Sequence, residues 1–104
     1  MIHPFDGSIA AQRPLPDLAT VFDMTGLGFE VARGALRSSE VGLSIDATNT
    51  STGVALTGHI DDACFDPEEV LRRLALAMEA DGIRFTLRLL DAGGVARVTY
   101  ESDR

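Results

Sequence analysis

The sequence predicts an α+β domain in which an antiparallel sheet of about five strands carries one amphipathic helix on one face. Two observations support this: apolar and polar residues alternate along most of residues 26–101, and segment 67–81 shows the helical period instead. The resulting order is β-β-β-α-β-β, which is typical of layered α+β folds. A chain of 104 residues should form a single domain over 1–104. We divide it into an N-terminal arm, 1–25, and the sheet with its helix, 26–104.

The N-terminal arm is predicted to be irregular, because it holds three of the four prolines and shows little periodicity. Ile9, Leu15 and Leu18 are the side chains expected to anchor it on the core. Asp17 could cap a short helix that ends near Gly26, although the same stretch also fits a strand.

Three strands are expected before the helix and two after it. In the first three, the residues predicted to face the core are Leu27, Phe29, Val31, Val41, Leu43, Ile45, Ala47, Val54, Leu56 and Ile60. The second and third strands are expected to pair with Val41 opposite Ile60, because this register keeps core residues on one side. The same reasoning places Arg88 opposite Arg97 in the last hairpin.

The helix carries the strongest local signal in the chain. Asp66 is a good N-cap, Pro67 suits the first helical position, and Glu69 occupies the acidic position of a capping box. The apolar stripe that follows consists of Val70, Leu71, Leu74, Ala77 and Met78. Gly82 is a natural residue to end the helix.

Composition and charge narrow the classes of function. Sixteen acidic residues against nine basic ones give a net charge of −7. This charge disfavours nucleic acid and anionic membrane as partners, and it favours encounter with a basic protein. The single cysteine excludes an intramolecular disulfide, and we see neither a secretion signal nor a membrane-length apolar segment. We therefore expect a cytoplasmic protein.

The densest cluster of chemically capable side chains lies at residues 59–66, which include His59, Cys64 and three aspartates. Their spacing matches neither a zinc site nor an EF-hand, so we predict no metal and no cofactor. Cys64 precedes a helix N-terminus, where a thiolate would be stabilised, but no third orienting group is identifiable. A buried, unreactive thiol is the expected state, and no catalytic residue is predicted.

The face of the sheet away from the helix is predicted to be polar and to bind a partner. The candidate binding residues are Glu30, Asp46, His59, Arg88 and Arg97. Arg88 opposite Arg97 is a like-charge pair, which costs stability unless an anion neutralises it. That anion could be Glu30 or Asp46 on a neighbouring strand, or a carboxylate of a partner.

We expect a non-enzymatic interaction protein, and more specifically a small acidic bacterial inhibitor or immunity-type protein that binds a basic protein partner. One alternative is a structural or accessory subunit that forms a homodimer through a sheet edge or the back of the helix. Another is a small enzyme or ligand-binding domain that uses residues 59–66. Fold class alone does not decide between these alternatives.

Overall fold

The computed structural model describes residues 1–10 and 12–102, which form a seven-stranded antiparallel sheet and two helices. In chain order the elements are β1 (Ile2–Ile9), α1 (Leu15–Asp23), β2 (Glu30–Ala32), β3 (Ala35–Glu40), β4 (Leu43–Asn49), β5 (Val54–Asp61), α2 (Pro67–Ala80), β6 (Phe85–Leu90) and β7 (Ala96–Glu101). Across the sheet the strand order is β2-β3-β4-β5-β1-β6-β7. No described helix is both long enough and apolar enough to cross a membrane. Ala11, Asp103 and Arg104, which the predicted domain includes, lie outside the described residues.

The prediction of an irregular N-terminal arm is wrong for its first part, which forms the central strand β1. This strand pairs with β5 along its whole length and with β6 over residues 5–9. The ladder with β6 reaches Phe5 and stops before Pro4, so the missing N–H of the proline removes no bond from that ladder. The prolines and the short apolar pattern gave no sign of a strand in the sequence. The stability of β1 comes from β5 and β6, which lie far along the chain.

The second part of the arm forms the short helix α1, which was one of the two alternatives expected there. The anchors Ile9, Leu15 and Leu18 are buried, as predicted. Asp17 lies in the first turn of α1 rather than at its cap, a position that still complements the helix dipole.

The sheet contains β3, which the alternation did not reveal. Ser38 occupies a core-facing position of β3 and is 2% exposed, so this strand shows little apolar periodicity in the sequence.

Because β3 returns through a turn at Val41, this residue is exposed rather than opposite Ile60. Val31 is exposed as well, although it was predicted to face the core. Leu43 takes the place opposite Ile60, a shift of two residues from the expected register.

The helix α2 agrees closely with its prediction. The Asp66 carboxylate accepts hydrogen bonds from the backbone N–H groups of Glu68 and Glu69, and Gly82 follows the helix with a φ of 71°. The side chain of Glu69 turns to Arg72 and Arg73 instead of closing a capping box. The five residues of the predicted apolar stripe are all buried.

The core between sheet and helices contains a close contact at the centre of the sheet. Gly58 lies between Phe5 and Ile45 in register, and a Cβ at Gly58 would come within 2.6 Å of Cζ of Phe5 and would meet the carbonyl oxygen of Ser44. The absence of a side chain at Gly58 therefore lets the Phe5 ring pack directly against the backbone of β5, which secures β1 in the sheet.

We expect Gly58→Ala to destabilise the protein by about 1–3 kcal/mol, because the added methyl overpacks a core that is closed by backbone on one side. Urea unfolding followed by circular dichroism measures this loss. Gly93→Ala is the matched control, since its nearest neighbour to a Cβ is an Asp91 oxygen at 3.4 Å and its φ is not positive. An equal loss in the two variants would contradict the role given to Gly58.

Candidate functional site

The candidate site is the face of the sheet opposite the two described helices, which we call the open face. Along β4 and β5 the buried and the exposed residues alternate, so only one side of these strands contributes to the core. The residues of the other side are polar or small, and no described helix or strand covers them.

One line of side chains, which we call the charged row, crosses the open face from β2 to β7. In strand order the register places side by side Glu30, Arg37, Asp46, Thr57, Asp6, Arg88 and Thr99. Residues directly opposite on neighbouring strands lie about 5 Å apart, which is close enough for ion pairs between long side chains.

Ion pairs form along the charged row. Arg88 donates from Nε and Nη2 to the two carboxylate oxygens of Asp6, over 2.8 and 2.6 Å. Arg37 Nε lies 3.1 Å from Oδ1 of Asp46. The hydrogen bond with Asp6 raises the pKa of Arg88 above its ordinary value, and the negative charge of the Asp6 carboxylate raises it by a smaller amount. The row therefore holds its charged side chains in defined positions.

The predicted pair of Arg88 and Arg97 does not form. Thr99 lies opposite Arg88, and Arg97 is the extra residue of a bulge where the β6–β7 register shifts. The neutralising anion of Arg88 is Asp6, which belongs to the segment predicted to be an irregular arm. Because Asp6 already neutralises Arg88, a partner's carboxylate is not needed for this purpose.

The other candidate residues are spread over the open face. Asp46 binds Arg37, and Glu30 lies opposite Arg37 but makes no ion pair with a described residue. His59 is exposed one row away, between Ser44 and Pro4. Sequence reasoning missed Asp6 and Arg37, because each lies on a strand that the alternation did not reveal.

A shallow depression lies in the middle of the open face and has a volume of about 450 Å³. Its lining consists of Asp6, Gly7, Ser8, Ala55, Leu56, Thr57, Thr86 and Arg88. The depression arises because small residues, Ser8 and Ala55, lie next to the longer side chains of the charged row. Its charged lining residues are Asp6 and Arg88, which form an ion pair, and Asp46 lies beside it on the other side of the exposed Thr57.

Residues 59–66 do not converge on one site. His59 points from the open face, Asp66 caps α2, and Asp62 binds His3. Cys64 is exposed in the turn after β5, which corrects the expectation of a buried thiol. Among the described residues, no group of three or more histidine, cysteine or carboxylate side chains could hold a metal ion.

A polar cluster at the start of β1 was also missed by the sequence reasoning. His3 Nε2 lies 2.9 Å from Oδ2 of Asp62, and the terminal ammonium of Met1 lies 3.0 Å from Oδ1 of the same carboxylate. The hydrogen bond with His3, and then that with the ammonium, lower the pKa of Asp62 below its ordinary value of 3.8. No local pattern could reveal this contact, because β1 and the end of β5 meet only in the folded sheet.

We expect Asp62 to contribute to stability above its ordinary pKa of 3.8 and to lose this contribution as the pH falls through its lower folded value. Asp62→Asn should therefore differ most from the natural chain near neutral pH, and the difference should shrink in acid. Urea unfolding at a series of pH values measures it, with Asp23→Asn at the exposed end of α1 as the control. A difference that stays constant down to about pH 3 would contradict this assignment.

Comparison of the chain with protein-family models, with curated proteins and with solved structures finds no match. We therefore infer the function from the residues of the open face and from their geometry.

Proposed function

We propose that this chain is a non-catalytic interaction protein, an acidic inhibitor or immunity-type protein of the bacterial cytoplasm, which binds a basic protein partner through the open face. The observation that carries the proposal is the depression at the centre of that face, which Asp6 and Thr57 line and beside which Asp46 lies. A basic side chain of the partner would enter the depression and meet the carboxylate of Asp6.

The charges of the open face favour a cationic partner. Along the charged row the carboxylates of Glu30, Asp46 and Asp6 outnumber the guanidinium groups of Arg37 and Arg88. The whole chain carries a net charge of −7, which accelerates its encounter with a basic protein and repels acidic proteins.

The ion pairs of the charged row also prepare the face for binding. Arg88 holds the Asp6 carboxylate through a bidentate contact, and Arg37 holds Asp46 from the neighbouring strand. Side chains that are already ordered lose less conformational entropy when a partner binds, so more of the contact energy remains as affinity. A partner's cation would then join an existing network instead of assembling one.

The dimensions of the open face suit a protein partner. The molecule measures 33 × 28 × 24 Å along its principal axes. A surface of this extent can provide the roughly 800 Å² per partner that a standard protein–protein interface buries. The depression would then serve as the central pocket for an anchor residue, and the surrounding serines and threonines would form a polar rim.

An accessory homo-oligomeric subunit is the second candidate function, and the strand β7 favours it. This strand ends the described sheet on one side and presents its outer edge to solvent.

The proposal predicts that Thr57→Arg abolishes partner binding without unfolding the protein. Thr57 is exposed and lines the depression, and an arginine there would fill it and repel a partner's cation. In affinity capture from the native host, we expect the natural chain to retain a basic protein. The variant should lose at least about 90% of it, as hot-spot disruption implies.

Thr20→Arg is the matched control, because Thr20 is also an exposed threonine but lies on α1, away from the open face. This variant should retain the basic protein as the natural chain does. Recovery of the bait alone, or equal retention by the two arginine variants, would overturn the proposed function.

A further inference from the structure

The outer edge of β7 is a second interaction surface, separate from the depression. Ser102 N donates to the carbonyl oxygen of Phe85 over 3.1 Å, which identifies these two residues as a hydrogen-bonded pair of the β6–β7 ladder. Because such pairs alternate in antiparallel sheets, Tyr100 and Val98 also bond to β6. The backbone N–H and C=O groups of Thr99 and Glu101 must therefore point away from β6, towards the free edge.

We propose that a second copy of this chain pairs antiparallel with β7 across a two-fold axis at Thr99. The exposed backbone groups of Thr99 would bond to the same groups of Thr99 in the partner subunit, and Arg97 would lie opposite the partner subunit's Glu101. The proposal gives the second candidate function a defined interface, and it does not rest on partner binding through the open face.

Charge complementarity indicates that the partner at the β7 edge is a second copy of this chain. Arg97 and Glu101 are exposed, and neither forms an ion pair with any described residue. The two-fold pairing brings each of them to an opposite charge, once at either end of the new ladder. An interface between identical patches must be complementary to itself, and this strand meets that condition.

The two sides of the sheet also match in this register. Thr99 and Glu101 lie opposite Arg88 and Thr86 on the open face, and the exposed Arg97 lies two positions before Thr99. Val98 and Tyr100, which pack against the core, would face each other across the axis on the helix side. A shift of one residue would pair core-facing with open-face residues, which pleating forbids.

A shift of two residues is permitted by pleating but loses the charge pairs. With the axis at Val98, Arg97 would oppose Thr99 of the partner subunit, and Glu101 would have no opposite residue within β7. The other edge of the sheet, β2, has only three residues and offers a much shorter ladder. The axis at Thr99 is therefore the arrangement that pairs both charged residues of β7.

The dimer should be weak, because a single strand–strand contact buries less than a standard interface. We expect a Kd of about 10–100 μM, measurable by sedimentation velocity over a concentration series. Arg97→Glu or Glu101→Arg alone places like charges at both ends of the ladder and should raise the Kd about tenfold or more. The double variant restores opposite charges and should return the Kd to within about threefold of the natural value.

Glu79→Arg is the control, since Glu79 is an exposed acid on α2 that pairs with no described cation; its Kd should remain unchanged. Amide hydrogen exchange gives an independent measure of the register. The amides of Thr99 and Glu101 should become protected as the concentration rises, whereas those of Val98 and Tyr100 should be protected throughout. A chain that stays monomeric up to about 1 mM, or a double variant no better than the single ones, would overturn the proposal.

Discussion

The insertion of β1 between β5 and β6 is the constraint on which the rest of this structure depends. On one side of β1 lie β2 to β5, and on the other lies the hairpin of β6 and β7. A two-stranded hairpin alone is marginally stable in water, so the outer hairpin relies on β1 for its hydrogen bonds and on α2 for its cover. The Phe5 ring over Gly58 is the contact that fixes β1 in this place, because no side chain at Gly58 competes for the space.

The same insertion creates the candidate site. Asp6 comes from β1 and supplies the carboxylate that Arg88 binds, and it forms one wall of the central depression. The strand β1 therefore contributes to the core and to the site from its two opposite sides. Phe5 and Ile9 point into the core, and Asp6 and Ser8 line the open face. A change that displaced β1 would remove the charged row together with the fold.

The two proposed surfaces are compatible with each other. Pairing through β7 would extend the sheet in its own plane and leave the open face uncovered. Each copy would then present its own depression on the same side of a wider sheet. A dimeric partner could engage both depressions at once, and its binding would gain from the high effective concentration of the second site.

The sequence by itself determined the features that depend on near neighbours. The α2 helix was predictable from Asp66 to Gly82, because a cap, a proline, an apolar stripe and a terminal glycine act within a few residues of one another. Alternation also identified which residues of β4 and β5 face the core. It identified Asp46, His59 and Arg88 as outward-facing as well, since the side of a strand follows from the period alone.

The tertiary structure alone decided the pairing of those residues. A period of two cannot distinguish registers that differ by two residues, which is why Leu43 rather than Val41 lies opposite Ile60. Arg88 lies opposite Thr99 instead of Arg97, and the bulge at Arg97 supplies one of these two residues of shift. β1 and the Asp6–Arg88 ion pair were beyond sequence reasoning for a related reason. Their stability comes from contacts between segments about 45 to 84 residues apart, which no local pattern records.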